Sequence, residues 1–291
     1  MNGSPSHFSS SAKPEAVEVL RPAERLSPVV FASPHSGACY SERFLEQAAL
    51  PLKVLRRSED AHIDVLFGSV TGLGAPLVRA LFPRSYVDPN RAEHELDPVL
   101  FGPQAHALCG QTSQRASAGL GVIPRLAGEG NAIYEAMLPL EEAFERLASC
   151  YRPYHAALAG ELTAAREAFG QSILIDCHSM PAASGRGADI VLGDRFGSSC
   201  APELTGNAER ILRSLGFKVV RNRPYAGGFA AEHYGLPAEG RHALQIEISR
   251  ALYMDEHSLE PHQGFEPLKA RLEAFAAALV DACRPQSLAA E

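Results

Sequence analysis

The sequence predicts an α/β fold, a three-layer sandwich around one sheet. Short apolar runs of strand type alternate with amphipathic helical stretches from end to end, and three of those runs deliver an ionisable residue at or near their ends. Sheets of this kind gather functional side chains at the carboxyl ends of parallel strands. SPHSG (Ser33–Gly37), ILIDCHS (Ile173–Ser179) and LQIEIS (Leu244–Ser249) are therefore expected to bring His35, His178 and Glu247 into one cleft.

The elements follow in order. Residues 1–15 are polar, rich in Ser and Pro, and lack the apolar stretch of a secretory signal, so they are expected to be a disordered tail, with residues 16–291 forming one domain. SPVVFASPH reads as a buried strand ending at His35. Ile63, Leu66, Phe67 and Val70 mark one face of a helix over Ser58–Thr71. Ala75–Asp88 reads as two short strands around Phe82 and Pro83, stopped by Pro89. Residues 93–131 lose periodicity and fill with Gly, Pro, Ser and Gln, which predicts a long excursion of the kind that covers active sites.

Leu140, Phe144, Leu147, Tyr151, Tyr154, Leu158 and Leu162 share one face of a long helix, which Pro153 should kink and Gly170 should end. Strands are expected at Ser172–Cys177, Ile190–Leu192, Phe217–Val220 and Ala243–Ser249, and helices at Pro202–Leu215 and Phe265–Cys283. Asn222–Gly228 has too many turn residues for a regular element. It is expected to loop against substrate, through Tyr225 and Gly227.

Composition excludes several classes. With 27 Lys and Arg against 34 Asp and Glu the net charge is −7, and no basic block follows a phosphate backbone, so no nucleic-acid partner is expected. No run approaches the roughly 20 apolar residues that span a bilayer, and no membrane partner is expected. Six cysteines without CxxC spacing read as reduced thiols in a cytoplasmic protein. Oligomeric state is not legible.

The chemistry rests on few side chains. A catalytic zinc commonly takes three protein ligands and leaves a position for water. His35 and His178 offer two, and Glu59 or Asp60 the third, although acids in a first helical turn also serve as caps. Glu247 interrupts an apolar strand, where a carboxylate needs a partner or a cleft. It suits a general base, with an ion pair to Arg250 as the structural alternative. Arg91 in VDPNR, beside Asn90, suits a substrate carboxylate, because a guanidinium binds carboxylate with two parallel hydrogen bonds. Arg125 in GVIPR and His233 in AEHYG are candidate donors to a developing oxyanion or surface residues. Arg84, Arg223 and Arg241 are further candidates for a second carboxylate.

Taken in order, SPHSG, RRSEDAHID, FPRSYVDPNR, GVIPR, IDCHSMP, DIVLGDRFG, NRPYAGGF and LQIEISRALYMD resemble the N-formylglutamate amidohydrolase family, over about Pro28–Asp255. The resemblance implies an αβα sandwich of the zinc-exopeptidase type with a mixed, mostly parallel sheet. It implies Zn2+ on His35, Asp60 and His178, with Glu247 as general base and Arg91 on the substrate carboxylate. The implied reaction is hydrolysis of an N-formyl or other N-acyl amino acid, foremost N-formyl-L-glutamate, by zinc-activated water. Two competitors stand beside it. Cys177, next to His178, would make a thiol amidase, yet successive strand residues face opposite ways; and the fold would also serve a metal- or ligand-binding protein without turnover.

Overall fold

In the computed structural model the described residues are 15–103, 105, 113–127 and 130–285. The N-terminal tail expected over residues 1–15 lies outside them except for Glu15. Among the described residues nine strands form: β1 (Val17–Leu20), β2 (Val29–Ser33), β3 (Leu77–Ala80), β4 (Leu126–Ala127), β5 (Asn131–Ala132), β6 (Ser172–Met180), β7 (Ile190–Gly193), β8 (Val219–Arg221) and β9 (Arg241–Ser249). Seven of them make one sheet in the order β1-β3-β2-β6-β9-β7-β8, and β4 and β5 pair separately. β3, β2, β6 and β9 run parallel to one another, β1 is antiparallel to β3, β7 is antiparallel to β9, and β8 is parallel to β7. The sheet is mixed and mostly parallel, as expected.

Alternation along the strands feeds two cores, one on each face. Val29, Phe31, Ile173, Ile175, Leu244 and Ile246 pack with Leu212 of the helix Pro202–Ser214 and with Leu272, Phe275 and Leu279 of the helix Phe265–Ala282. On the other face Val30, Leu174 and Ala243 pack with Tyr154, Leu158 and Leu162 of the helix Arg152–Phe169. Each fully buried aliphatic side chain in these layers contributes roughly 1.5–3 kcal/mol. The result is the expected three-layer arrangement.

Several elements differ from expectation for local reasons. The helix expected over Ser58–Thr71 is broken into a 3-10 turn at Arg56–Ser58, an α turn at Ile63–Leu66 and a 3-10 stretch at Gly68–Leu73. His62 takes a left-handed conformation (φ 67), and Gly68 and Gly72 lower helix propensity. Its apolar face is buried all the same. The second strand expected before Asp88 is a turn, with the Pro83 carbonyl accepting from the Tyr86 and Val87 amides. The long helix does not simply kink at Pro153: a π-helical turn at Leu147–Tyr151 joins Leu140–Arg146 to Arg152–Phe169, just ahead of the proline nitrogen that has no hydrogen to give. Short helices at Glu42–Gln47 and Phe229–Tyr234 were not legible in the sequence pattern.

Candidate active site

Four adjacent parallel strands build the site from their carboxyl ends. The loop after β3 carries Arg84, Asp88, Asn90 and Arg91, and the turn after β2 carries His35. Asp176 and His178 lie on β6, Gln245 and Glu247 on β9. The β6–β9 register sets Asp176 beside Gln245 and His178 beside Glu247, so all four side chains share one face. Asp60 arrives from the segment after the 3-10 turn, its amide donating to the His35 carbonyl at 3.0 Å.

Three atoms converge at the centre. His35 Nδ1 lies 3.2 Å and His178 Nδ1 3.0 Å from Asp60 Oδ2, and the two Nδ1 atoms are 3.1 Å apart. Each imidazole is held from behind by a carboxylate, His35 Nε2 by Asp88 Oδ1 and His178 Nε2 by Asp176 Oδ2, both at 2.8 Å. All five residues are buried. Burial pushes the Asp60 carboxyl up, but its contacts with His178 and His35 outweigh that and hold it well below the usual carboxylate range. Burial likewise opposes a charge on His178, and Asp176 and Asp60 overcome it, raising its pKa well above that of a free imidazole.

Asp60 and Asp88 each also hold a guanidinium, Arg250 and Arg84, while the two Nδ1 atoms face one another beside Asp60 Oδ2. Two protons would set N–H groups against each other at 3.1 Å, whereas one divalent cation supplies the same charge at a single point. A tetrahedral ion with bonds of roughly 2.0–2.1 Å spaces its ligand atoms about 3.3 Å apart, close to the separations here. The donor set of two imidazoles and a carboxylate, each imidazole steadied by an outer carboxylate, therefore fits such an ion.

Glu59 does not compete for this position. It turns away to accept from the Tyr40 hydroxyl at 2.8 Å and from Arg56 at 3.2 Å. Arg250 does not pair with Glu247, the alternative the sequence left open: its Nη2 donates to Asp60 Oδ1 at 3.0 Å and to the Glu59 carbonyl at 2.7 Å. Glu247 is held instead by Gln245, whose Nε2 donates to Oε1 at 2.7 Å, leaving Oε2 without a hydrogen-bond partner among the described residues. Burial raises the Glu247 pKa to about 7 even against the pull of His178. These groups sit in a cleft of about 740 Å³, whose wall carries six arginines, Arg57, Arg84, Arg91, Arg115, Arg195 and Arg250. Positive charge in this acidic chain is thus gathered locally at the cleft.

A sequence model of the N-formylglutamate amidohydrolase family matches residues 27–254. The chain belongs to that family. It is 31% identical over 237 residues to an N-formylglutamate deformylase of Pseudomonas putida, covering 79% of this chain and 82% of that protein. A second deformylase, of Pseudomonas aeruginosa, is 32% identical over 207 residues, with 68% and 72% covered. The crystal structure of an N-formylglutamate amidohydrolase from Ralstonia eutropha superposes with a TM-score of 0.86 at 35% identity, covering 92% of this chain and 98% of that one. A gene product of Agrobacterium tumefaciens, 19% identical with a TM-score of 0.67 over 92% of this chain and 95% of that one, shares the fold.

Within this chain the remaining candidates divide. Asn90, Arg91, Tyr225 and Gly227 all line the cleft. Asn90 Oδ1 accepts from the Ala230 amide at 2.8 Å, and Gly228 must be glycine because a Cβ there would lie 2.5 Å from the Asn90 side chain. Gly227 has φ 118, which favours glycine. Arg125 and His233 are not brought to the cleft. Arg125 Nε is committed to Asp97 Oδ2 at 2.6 Å, and His233 is exposed and stacked on Phe229. Arg84 is in the cleft, on Asp88 Oδ2 at 3.0 Å, whereas Arg223 and Arg241 are outside its lining. Cys177 points into the opposite core, and burial raises its thiol pKa well above normal, so a thiolate route has no geometry here. No helix among the described residues is long and apolar enough to cross a membrane.

Sequence reasoning missed Gln245, gave Asp88 no part, and passed over His155. His155 Nε2 donates to the Pro89 carbonyl at 3.0 Å while its Nδ1 accepts from the Tyr234 hydroxyl at 2.8 Å. Tyr151, placed by the π turn, donates to the Arg91 carbonyl at 2.9 Å. Both carbonyls flanking Asn90 are thereby fixed from one helix. Burial lowers the His155 pKa from 6.5 to about 4, so the fold prefers it neutral. The unfolded chain takes up that proton first, and stability should fall as pH drops from 6.5 to about 4, by up to about 3 kcal/mol from this residue. Urea unfolding of His155→Gln should show a shallower loss over that window than the parent; equal slopes would contradict the assignment.

Proposed function

We propose that the chain is a zinc-dependent amidohydrolase that removes the formyl group of N-formyl-L-glutamate, giving formate and L-glutamate, in the cytoplasm. The observation that carries this reading is the convergence of His35 Nδ1, His178 Nδ1 and Asp60 Oδ2 beside Glu247, in a cleft walled by arginines. The two Pseudomonas relatives bear the name of that activity. When bound at those three atoms, zinc supplies a Lewis acid for the formyl carbonyl and an acidified water.

The chain's own residues do the rest. Glu247 takes the proton of the attacking water at Oε2 and hands it to the departing amide nitrogen; a carboxylate poised at about 7 can do both near neutral pH. Gln245 orients it through Oε1. Asp88 and Asp176 hold the two imidazoles with Nδ1 facing inward. Arg91, whose Nε and Nη1 are fixed on the Leu120 and Asn90 carbonyls, binds the substrate α-carboxylate.

Comparison of kcat/KM across a panel of N-acyl amino acids tests the reading, with N-formyl-L-glutamate expected to lead. A metal-loaded protein that turns over no member would instead be a binding protein on this fold. Arg91→Ala should raise KM for N-formyl-L-glutamate about 10- to 100-fold and barely alter its α-amide, which has no charge to lose. An equal loss on both substrates would remove the α-carboxylate from Arg91.

A further inference from the structure

The excursion over residues 93–131 carries one cleft arginine that the catalytic scheme leaves unused. Arg115 lines the cleft from the short turn Gln114–Ser117, and its guanidinium has no hydrogen bond or ion pair among the described residues. Its place next to Arg91 is built through one residue, Leu120. Arg91 Nε donates to the Leu120 carbonyl, and the Leu120 amide donates to the Arg115 carbonyl, each at 2.9 Å.

Among the described residues the nearby acids are committed elsewhere. Glu95 accepts from the Ala92 amide at one oxygen and from the Ser113 hydroxyl at the other; Asp97 accepts from Val99 and Arg125; and Glu93 pairs with Arg152. Asp88 serves His35 and Arg84, and lies 3.7 Å from Arg91. Two guanidinium groups, Arg91 buried and Arg115 exposed, thus share one wall of the cleft with no carboxylate among the described residues given over to them, an arrangement that suits an anion with two charged ends.

We propose that Arg115 binds the distal, side-chain carboxylate of the substrate while Arg91 binds the α-carboxylate, which makes the enzyme selective for N-formyl amino acids with an acidic side chain. This rests on the deformylase reading above and names the residue that sets its specificity. N-formyl-L-glutamine is the neutral isostere that reads Arg115 alone.

The test measures kcat/KM for N-formyl-L-glutamate and N-formyl-L-glutamine with the parent enzyme, Arg115→Gln and Arg115→Lys. Arg115→Gln should lower the value for the glutamate substrate about 10- to 100-fold, mostly through KM, and leave the glutamine substrate within about 2-fold. Arg115→Lys should recover part of the loss, since it keeps the charge without the fork. Equal effects on both substrates, or none on either, would overturn the assignment. Should the parent hydrolyse neither compound, the deformylase reading fails, and calorimetric binding of the same two compounds still decides the subsite: a preference for the glutamate compound that Arg115→Gln abolishes supports it, and no preference refutes it.

Discussion

His178→Ala is expected to lose bound zinc and formate release together, with activity falling on the order of a thousandfold or more. The substitution removes one of the three converging atoms proposed to hold the metal and also leaves Asp176 buried without its imidazole partner. Misfolding alone would lower activity too, so a graded variant belongs beside it. Asp176→Asn keeps the His178 ligand and removes only the carboxylate behind it, which should weaken metal affinity about 10- to 100-fold in a protein that still folds. Metal content by mass spectrometry and thermal unfolding separate the cases. Full zinc occupancy in folded His178→Ala would take His178 out of the ligand set.

Glu247→Gln should keep the metal and lose most of the rate, about a hundred- to ten-thousand-fold in kcat. The change is close to isosteric, and Gln245 can still hydrogen-bond the new side chain at the position of Oε1. What disappears is the group that accepts and returns a proton at Oε2. Because Glu247 is no member of the ligand triad, zinc content should match the parent, and KM should move far less than kcat. Retention of full activity would show that another group carries the proton.

Much of this site was legible because strand ends announce themselves. In β6 and β9 an apolar alternation is broken by polar residues at every second position, Asp176 and His178 in one and Gln245 and Glu247 in the other, and period-two geometry alone sets each pair on one face. The same rule correctly sent Cys177 to the opposite core. β6 runs to Met180, past the Cys177 end expected for it, so His178 lies within the strand and gains the fixed register with Glu247.

What stayed hidden depends on long-range contacts that periodicity does not encode. Asp60 and Glu59 are adjacent acids, and only the chain path, with the Asp60 amide on the His35 carbonyl, decides which one turns inward. Arg125 reads in sequence as a donor to the developing oxyanion or a surface residue, and only the fold shows that Asp97, 28 residues away, takes it. Arg115 has no motif around it, and its position follows from the fold of the excursion. The broken helix after Ser58 was foreseeable in part from Gly68 and Gly72, whereas the left-handed His62 was not.

The most direct test of the account is formate release from N-formyl-L-glutamate by the purified protein, measured before chelation, after chelation, and after zinc is restored. Turnover should vanish with the metal and return with zinc. Turnover that survives complete removal of the metal, verified by metal analysis of the same sample, would contradict it.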